Sequence, residues 1–407
     1  MTHYFAHTLT NGLRIVHLPM TSPVAYCGFA INTGSRDEAV CEHGYAHFVE
    51  HLLFKGSSKR KSWHILNRME NVGGELNAYT TKEETFVYSI FLKKDFERAV
   101  ELITDLIAHS QFPAIEIDKE RDVVLDEIQS YEDNPAELIF DEFENVLFEA
   151  HPLGHDILGN KRTLKKFKTE TGLSFVRSHY SADNMVFFSM GDIDFNKIIR
   201  LAKKYFVEIP VNTHTCLREK PPIILPRQLV QKKNTHQTHV VTGGQTYDMH
   251  NEKRIALNLL NNILGGPGMN SRLNVTLREK HGLVYHVESQ ITSYTDTGLC
   301  SIYFGTDPKN KEQAFQLVKN ELQRLCEHKM SDMQLHRAKK QAYGQMVLAH
   351  ENKEALFLGL GKSFLHYNRY ESLQEIFQLT ELVTPLQIMK IANEVYHPDQ
   401  LFSLVFE

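Results

Sequence analysis

The chain has 407 residues, with 45 basic against 50 acidic side chains and a formal net charge of −5 at pH 7. This length is sufficient for two or more domains with full cores, and the balanced charge excludes the basic footprint of a nucleic-acid-binding protein. No apolar run approaches the roughly 18–20 residues that a membrane span needs, so we expect no membrane partner. The first five residues contain no basic region followed by an apolar segment, and a signal peptide is therefore not expected.

Cysteine usage indicates a reducing compartment. The cysteines are five in number, scattered and without Cys-x-x-Cys spacing: Cys27, Cys41, Cys216, Cys300 and Cys326. Disulfide frameworks and cysteine metal sites use even numbers or closely spaced pairs. We therefore expect a cytoplasmic location, and no cysteine is needed as a metal ligand.

The most informative motif in the chain is His47-Phe48-Val49-Glu50-His51. On a helix, the imidazoles of His47 and His51 share a face, with Cβ atoms about 5–6 Å apart. Two neutral imidazoles at this separation can bind one Zn²⁺, and Glu50 lies where it can reach a water on the metal. This order of residues defines the inverzincins. Taken alone, the motif also fits a solvated polar helix face, because the chain contains 22 histidines.

A strand followed by an amphipathic helix occurs in both halves of the chain. The strand-like segment 85–91 precedes the periodic run 96–103, and segment 298–304 precedes the run 312–318. Strands before and after helices within each half predict an α+β fold. We expect two related domains, each a mixed, mostly antiparallel sheet with helices packed on one face.

A second predicted helix covers residues 118–128, with Asn134-Pro135 expected to end it. Glu120 and Glu127 are seven residues apart and therefore lie on one face of this helix. A catalytic zinc site needs three protein ligands and one open position, so a carboxylate from this helix is a candidate third ligand. By spacing alone, both carboxylates fit a solvated surface equally well.

The two halves are joined by a polar region that contains Pro210, Pro221, Pro222 and Pro226. This composition predicts an extended linker. We expect a zinc-bearing catalytic domain at 1–210, the linker at 211–230 and a related metal-free domain at 231–407. In the second half, the segment 257–261 corresponds to the zinc motif; it keeps helical character but contains no metal ligand.

These motifs together resemble the pitrilysin and mitochondrial-processing-peptidase family of zinc metallopeptidases. Members carry His-x-x-Glu-His and, further along, a glutamate ligand in a helix of pattern Glu-Arg-x-Val-(Val/Ile)-x-x-Glu, which residues 120–127 match at the family's spacing. Coverage extends over most of the chain up to about residue 305. Other matching motifs include Asn11-Gly12-Leu13, Gly34-Ser35-Arg36-Asp37-Glu38, Phe54-Lys55-Gly56-Ser57, Gly73-Gly74, Asn77-Ala78-Tyr79-Thr80, His151-Pro152-Leu153-Gly154 and Arg278-Glu279-Lys280-His281-Gly282-Leu283-Val284-Tyr285.

The resemblance implies one Zn²⁺ per chain, bound by His47, His51 and Glu127. It assigns Glu120 as a supporting carboxylate that helps to orient the site. It also implies that Glu50 is the general base, which activates the zinc-bound water and later passes the proton to the leaving amine.

Two further groups are implied to act on the substrate. Asn77, Ala78 and Tyr79 would lie on a sheet edge and pair with an extended peptide through backbone hydrogen bonds. Arg278 and Tyr285, from the half without metal, would help to hold the substrate and its polarised carbonyl oxygen. The alternatives are a plain turn-to-strand junction for Asn77, a surface ion pair for Arg278 and a core position for Tyr285.

The resemblance predicts a zinc metalloendopeptidase of the short-chain dimeric type, which hydrolyses unfolded peptides or oligopeptides inside a closed chamber. It implies a homodimer in which the arginine–tyrosine pair reaches the zinc of the partner chain. One alternative is a non-catalytic structural or partner subunit of a peptidase-like complex, but such relatives typically lose the zinc motif or the distal glutamate. Another is an enzyme dedicated to one precursor, which shares the mechanism and differs in substrate.

Overall fold

The structure is a computed structural model that describes residues 4–211, 217–233 and 235–407. Cys216 and the predicted linker residues 212–216 lie outside the described residues. The strands are β1 Phe5–Thr8, β2 Arg14–Pro19, β3 Val24–Ile31, β4 Glu75–Thr80, β5 Thr85–Leu92, β6 Met185–Gly191, β7 Gln228–Gln231, β8 Thr238–Thr246, β9 Val284–Ser293, β10 Gly298–Thr306 and β11 Phe402–Phe406. The α-helices are α1 Tyr45–Leu53, α2 Ser62–Glu70, α3 Phe96–His109, α4 Ala114–Glu132, α5 Pro135–Leu147, α6 Lys161–Leu164, α7 Thr169–His179, α8 Phe195–Tyr205, α9 Arg254–Gly265, α10 Lys311–Glu327, α11 Asp332–Ala349, α12 Lys353–Tyr367, α13 Leu373–Glu381 and α14 Pro385–Val395.

The described chain forms two compact units, each built on one sheet. The first unit contains residues 1–129, 155–217 and 350–372, and the second contains 130–154, 218–349 and 373–407. The first sheet has the order β1-β2-β6-β3-β5-β4, in which only β2 and β6 are parallel. β1 and β4 are therefore the two edge strands of this sheet.

The sheet of the second unit repeats this arrangement. Its order is β7-β11-β8-β10-β9, and only β7 and β11 are parallel. Apart from β1, both sheets thus have a parallel pair at one end followed by antiparallel neighbours. The predicted α+β fold with two related domains is confirmed.

Helices cover both faces of the first sheet, whereas one covered face was expected. Helices such as α1 and α3 pack on one face, where alternate residues of β3 and β5 enter the main core. On the other face, α12 places Phe357, Leu360 and Phe364 against apolar residues of β2, β5 and β6. The approach is close, because a Cβ on Gly361 would meet the Phe188 ring at 2.8 Å. All seven residues of β6 are buried, which requires cover on both sides.

The second unit has a corresponding helix on its sheet, and that helix comes from the first half of the chain. Ile139 and Phe143 of α5 pack against Val241 of β8 and Leu404 of β11. Each unit therefore includes one helix from the other half of the sequence. The predicted domain bounds of 1–210 and 231–407 do not include this exchange of helices. They stay a prediction. The last residues of the predicted linker, 228–230, belong to β7, which pairs with the carboxyl-terminal strand β11.

The local predictions correspond closely to observed elements. The two predicted strands are β5 and β10, the two amphipathic runs lie in α3 and α10, and α4 contains the predicted helix 118–128. α4 ends at Glu132 and Pro135 begins α5, as expected of a residue that lacks an N–H group. Within the described ranges, no helix combines the length and the apolar composition needed to cross a bilayer.

Candidate metal centre

The helix that carries the His-x-x-Glu-His motif is held rigidly in the first unit. Phe48, Val49 and Leu52 of α1 are fully buried in the main core. The helical period therefore turns the two histidines and Glu50 to the opposite side of α1. The backbone N–H groups of Gly44 and Ala46 at the start of the helix donate to the Glu38 carboxylate, at 2.9 and 2.7 Å. These bonds satisfy helix-end donors that have no partner within the helix.

The structure brings His47, His51 and Glu127 together. The Nε2 atoms of His47 and His51 lie 3.9 and 3.7 Å from Glu127 Oε2. One potential ligand atom from each residue lies within 4.8 Å of the others. Within the described ranges, no other three His, Cys, Asp or Glu side chains form such a group.

Glu120 lies two turns before Glu127 on the same face of α4 and fixes the orientation of His51. A Glu120 carboxylate oxygen accepts a hydrogen bond from His51 Nδ1 at 2.9 Å, which leaves the Nε2 lone pair directed toward Glu127. The second Glu120 oxygen contacts Lys55 Nζ at 2.6 Å. An imidazole that donates its other N–H to a carboxylate has a fixed tautomer and a more basic ligand atom.

His47 has the protonation state that metal binding requires. Burial, followed by the neighbouring His51, lowers the pKa of His47 to about 3. The imidazole of His47 is therefore neutral at pH 7 and its ring nitrogen lone pair is available. Its Nδ1 is buried and has no hydrogen-bond partner within the part of the chain that the structure describes.

Glu50 stays outside this group and is held by a different contact. The Glu50 side chain is 8% exposed, and its Oε2 accepts a hydrogen bond of 3.0 Å from the Thr80 hydroxyl of β4. Burial raises the pKa of Glu50, while His51 and the Thr80 hydroxyl act in the opposite direction. Tyr180 is fully buried near Glu50, and burial with the Glu50 charge raises the pKa of its phenol.

The donor set fits Zn²⁺. Two imidazoles and one carboxylate form a catalytic zinc set, in which one position of a tetrahedron stays open. Ligands about 2.0–2.1 Å from a tetrahedral zinc are separated by about 3.3 Å, so the observed 3.7 and 3.9 Å separations need to close only slightly. His47, His51 and Glu127 are therefore the residues that would hold the ion.

The predicted substrate strand is β4. Asn77, Ala78 and Tyr79 pair in antiparallel register with Tyr88, Val87 and Phe86 of β5. β4 has no second neighbour in the sheet among the described residues, and its residues 76–80 are half-buried. The Tyr79 ring stacks on Phe86 with centroids 4.8 Å apart. This edge can accept a further strand through backbone hydrogen bonds.

The predicted Arg278 and Tyr285 belong to the second unit. Arg278 belongs to a π-helical turn at residues 274–280, and Tyr285 belongs to β9. The Arg278 guanidinium lies 5.7 Å from the Tyr285 ring centroid, so the two side chains form a cation–π contact. Tyr285 is 85% exposed, which excludes the core position that was its alternative reading.

Comparisons with known proteins identify the family. Residues 15–161 match the family model described as Insulinase (Peptidase family M16), and residues 167–342 match the one described as Peptidase M16 inactive domain. An uncharacterized zinc protease of Streptomyces coelicolor is 33% identical over 95% of this chain and 86% of its own length. The chain belongs to peptidase family M16. The uncharacterized zinc protease YmxG of Bacillus subtilis is another M16 relative, 31% identical over 98% of this chain and 97% of its own length.

Solved structures share the M16 fold. A protease from Helicobacter pylori superposes with a TM-score of 0.93 at 21% identity, covering 100% of both chains. A protein from Pseudomonas fluorescens, described as a peptidase M16 inactive domain, superposes with a TM-score of 0.92 at 19% identity, covering 99% of this chain and 97% of its own. All residues of the metal centre lie within the first matched M16 range, and α12 lies outside both ranges.

Thr80 and Lys55, which contact Glu50 and Glu120, have no role assigned from the sequence. Thr80 was noted only as the end of a matching motif, and Lys55 only as part of another. Lys55 lies four residues after His51, in the turn that follows the end of α1 at Leu53, so helical spacing alone does not predict its contact with Glu120. For Thr80 no local signal exists, because its contact with Glu50 depends on how β4 packs beside α1.

Proposed function

We propose that this chain is a zinc metalloendopeptidase that hydrolyses peptide bonds of unfolded peptides or oligopeptides inside a closed chamber. The observation that carries the proposal is the group of His47, His51 and Glu127, with Glu50 beside it and held by Thr80 rather than by the group itself. The zinc-protease names of its relatives support the same activity. The name "inactive domain" applies to residues 167–342, which contain none of these side chains.

Bound Zn²⁺ would supply a Lewis acid that lowers the pKa of a coordinated water to roughly 7 and polarises a carbonyl group. His47, His51 and Glu127 hold the ion, and Glu120 keeps His51 in the tautomer that presents Nε2. Glu50 uses one carboxylate oxygen to accept from Thr80, which leaves the other oxygen to take a proton and return it to the leaving amine.

The remaining residues act on the substrate. The free edge of β4 binds an extended peptide by adding a strand, and this recognition depends more on the peptide backbone than on its side chains. Arg278 and Tyr285 hold the substrate and its carbonyl oxygen. We propose that they do so at the zinc of a partner chain, within a homodimer that forms the chamber.

We also propose a cytoplasmic location. Cys27, Cys41, Cys300 and Cys326 are free thiols in the described part of the chain, and three of them are buried. Such thiols are typical of a reducing compartment.

Metal analysis combined with peptide digestion tests the activity. We expect about one zinc per chain, and we expect Glu50→Gln to reduce peptide hydrolysis by about 10²–10⁴-fold with its zinc content unchanged. Glu116→Gln is the control, because this carboxylate lies on α4 and forms an ion pair with the exposed Lys119. Zinc-free protein with full activity, or unchanged hydrolysis by Glu50→Gln, would contradict the mechanism.

Mixing two inactive variants tests the dimer. In a two-fold dimer, random pairing of Glu50→Gln chains with Arg278→Ala chains leaves one intact site in half of the dimers. We therefore expect about a quarter of the wild-type activity to return. No recovery despite verified chain exchange would show that each chain uses its own Arg278.

A further inference from the structure

The turn between β4 and β5 buries an unusual amount of charge. The turn is closed by a hydrogen bond of 2.8 Å from Thr81 N–H to the Glu84 carbonyl. Lys82, Glu83 and Glu84 follow one another in it, and they are only 5%, 2% and 2% exposed. Burying a charge is costly unless the charge is paired and hydrogen-bonded. Three consecutive buried charges therefore indicate a turn whose side chains are paired with several neighbouring segments.

Two of these side chains connect the turn to segments close to it. Glu83 forms a buried ion pair with Arg36 at 2.5 Å, and Lys82 Nζ donates to the His155 carbonyl at 2.5 Å. The backbone adds a further contact, because a Cβ on Gly34 would meet the Thr81 carbonyl oxygen at 2.3 Å. The turn thus lies directly against the residues that precede α1.

Glu84 connects the same turn to a helix from the far end of the sequence. Its carboxylate lies 2.6 Å from His366 Nε2 and 3.0 Å from Lys362 Nζ, both on α12. It also accepts from the Thr81 hydroxyl at 2.6 Å. Burial opposes ionisation of Glu84, but the bond from His366 and the charge of Lys362 outweigh it, so the pKa of this carboxyl lies below its ordinary range.

The residue immediately before this turn is Thr80, which donates to Glu50 Oε2 at 3.0 Å. The direction of the Thr80 hydroxyl depends on the end of β4, and the end of β4 is fixed by the turn. A chain of direct contacts therefore runs from α12 through Glu84, Thr81 and Thr80 to Glu50. Catalytic groups need to be held to within a fraction of an ångström, and a misplacement of about 1 Å can cost about 10²-fold in rate.

We infer that Glu84 is a positioning residue for Glu50, and that α12 sets the reactivity of the metal centre through its contacts with Glu84. This inference rests on the proposed peptidase function. It assigns a functional role to a helix that lies outside both matched family ranges. The Glu84 carboxylate contacts Thr81 on the turn and Lys362 and His366 on α12, so the route that we infer to Glu50 passes through Thr81 and Thr80.

The test measures steady-state hydrolysis by Glu84→Gln and by the α12 double variant Lys362→Met/His366→Gln, each as the zinc-loaded full chain. We expect kcat to fall by about 10–100-fold and KM to change by less than about threefold, with zinc affinity unchanged. Amide hydrogen exchange at residues 80–85 should become faster in both variants. The double variant leaves the turn sequence intact and keeps the test valid if Glu84→Gln folds poorly.

Glu354→Ala is the matched control. Glu354 also links α12 to the first sheet, through a hydrogen bond of 2.7 Å from the Tyr88 hydroxyl, but it does not touch the turn. We expect it to lower stability while leaving kcat and the exchange at residues 80–85 unchanged. An equal loss of kcat in Glu354→Ala and Glu84→Gln would overturn the inference, because the effect would then be general loosening of α12.

A double-mutant cycle tests the route of the effect. Thr80→Val removes the bond to Glu50, so adding Glu84→Gln to it should reduce kcat little further. Fully multiplicative effects would overturn the inference. If Glu50→Gln remains active, the proposed function itself fails and the inference fails with it. If Glu50→Gln is inactive while Glu84→Gln matches the wild-type kcat, only the inference fails.

Discussion

Helix α1 of the first unit and helix α9 of the second unit carry different kinds of polar side chain. On α1 the residues at positions i, i+3 and i+4 are His, Glu and His. On α9 the same spacing, starting one residue after the start of the segment 257–261 that the sequence aligns with the motif, holds Asn258, Asn261 and Asn262. In the second unit two of these amides bond to protein groups: Asn262 donates to Gln345 of α11 at 2.9 Å, and Asn261 accepts from the Tyr396 hydroxyl at 3.0 Å. Each amide carries both donors and acceptors, so the hydrogen-bonding groups of such a cluster can all be paired within the protein.

The first unit uses groups that cannot satisfy one another in this way. Two neutral imidazoles and one carboxylate direct lone pairs toward a common point, and a cation is what satisfies them together. Polar residues on the inner side of a helix can thus be stabilised either by hydrogen bonds among protein groups or by a bound metal ion. The difference lies in the side chains, because the two sheets share the same arrangement of parallel and antiparallel strands apart from β1.

The largest expected difference between the units is in metal binding. His51→Asn gives α1 the residue that α9 has at Asn262 and removes one of three ligands. Zinc affinity should fall by more than the roughly 100-fold that the loss of a supporting residue costs. Competition titration with a chelator measures this, and Asn262→Ala serves as the control with unchanged affinity. Wild-type affinity in His51→Asn would exclude the proposed ligand set.

Acid should destabilise the first unit through His17 of β2, which is fully buried and bonded to Ser189. Burial lowers the pKa of His17 to about 4, whereas an unfolded histidine titrates near 6.5. Between these values the unfolded chain binds more protons, so stability falls as the pH falls, by about 3 kcal/mol in total. The stabilisation is complete above pH 6.5.

Hydrogen exchange in β2 and β6, which carry His17 and Ser189, can follow the stability of the first unit in metal-free protein as the pH changes. His17→Gln should remove most of the pH dependence between 6.5 and 4. An equally steep loss of stability in this variant would assign the acid sensitivity to other groups.

Loss of the supporting carboxylate of Glu120 should lower zinc affinity less than loss of a metal ligand does. Glu120→Gln weakens the bond to His51 Nδ1 and the contact with Lys55, and we expect zinc affinity to fall by about 10–100-fold. Isothermal titration at fixed pH measures this value. Glu116→Gln on the same helix should leave it unchanged, and a similar loss in that control would point to a general charge effect of α4.

The smallest expected effect concerns the amide cluster. Asn261→Ala removes the acceptor of two hydroxyls, those of Ser289 and of the fully buried Tyr396. An unsatisfied buried hydroxyl costs roughly 1–3 kcal/mol, so we expect the second unit to lose about 2 kcal/mol. Hydrogen exchange in β9 and α9 measures the loss. Zinc content should not change, and a change in it would contradict the independence of the two polar sites.

Local signals in the sequence were enough to predict the elements that carry the site. The motif on α1 and the carboxylates of α4 follow the helical period, and the family resemblance selected Glu127 as the partner. The contact of Thr80 with Glu50 was not predictable, because it joins a strand end to a helix face through tertiary packing. The same holds for α12, whose apolar residues indicate that it is buried but do not specify which sheet covers it.

The exchanged helices have a consequence for synthesis on the ribosome. The last strand of the first sheet ends at Gly191, but the helix that covers its second face begins only at Lys353. At about 5–20 residues per second, roughly 10–30 s pass before that helix emerges. During this interval Val186, Phe188 and Met190 have no cover on that face. We therefore expect the nascent first unit to expose this apolar surface until α12 has been synthesised.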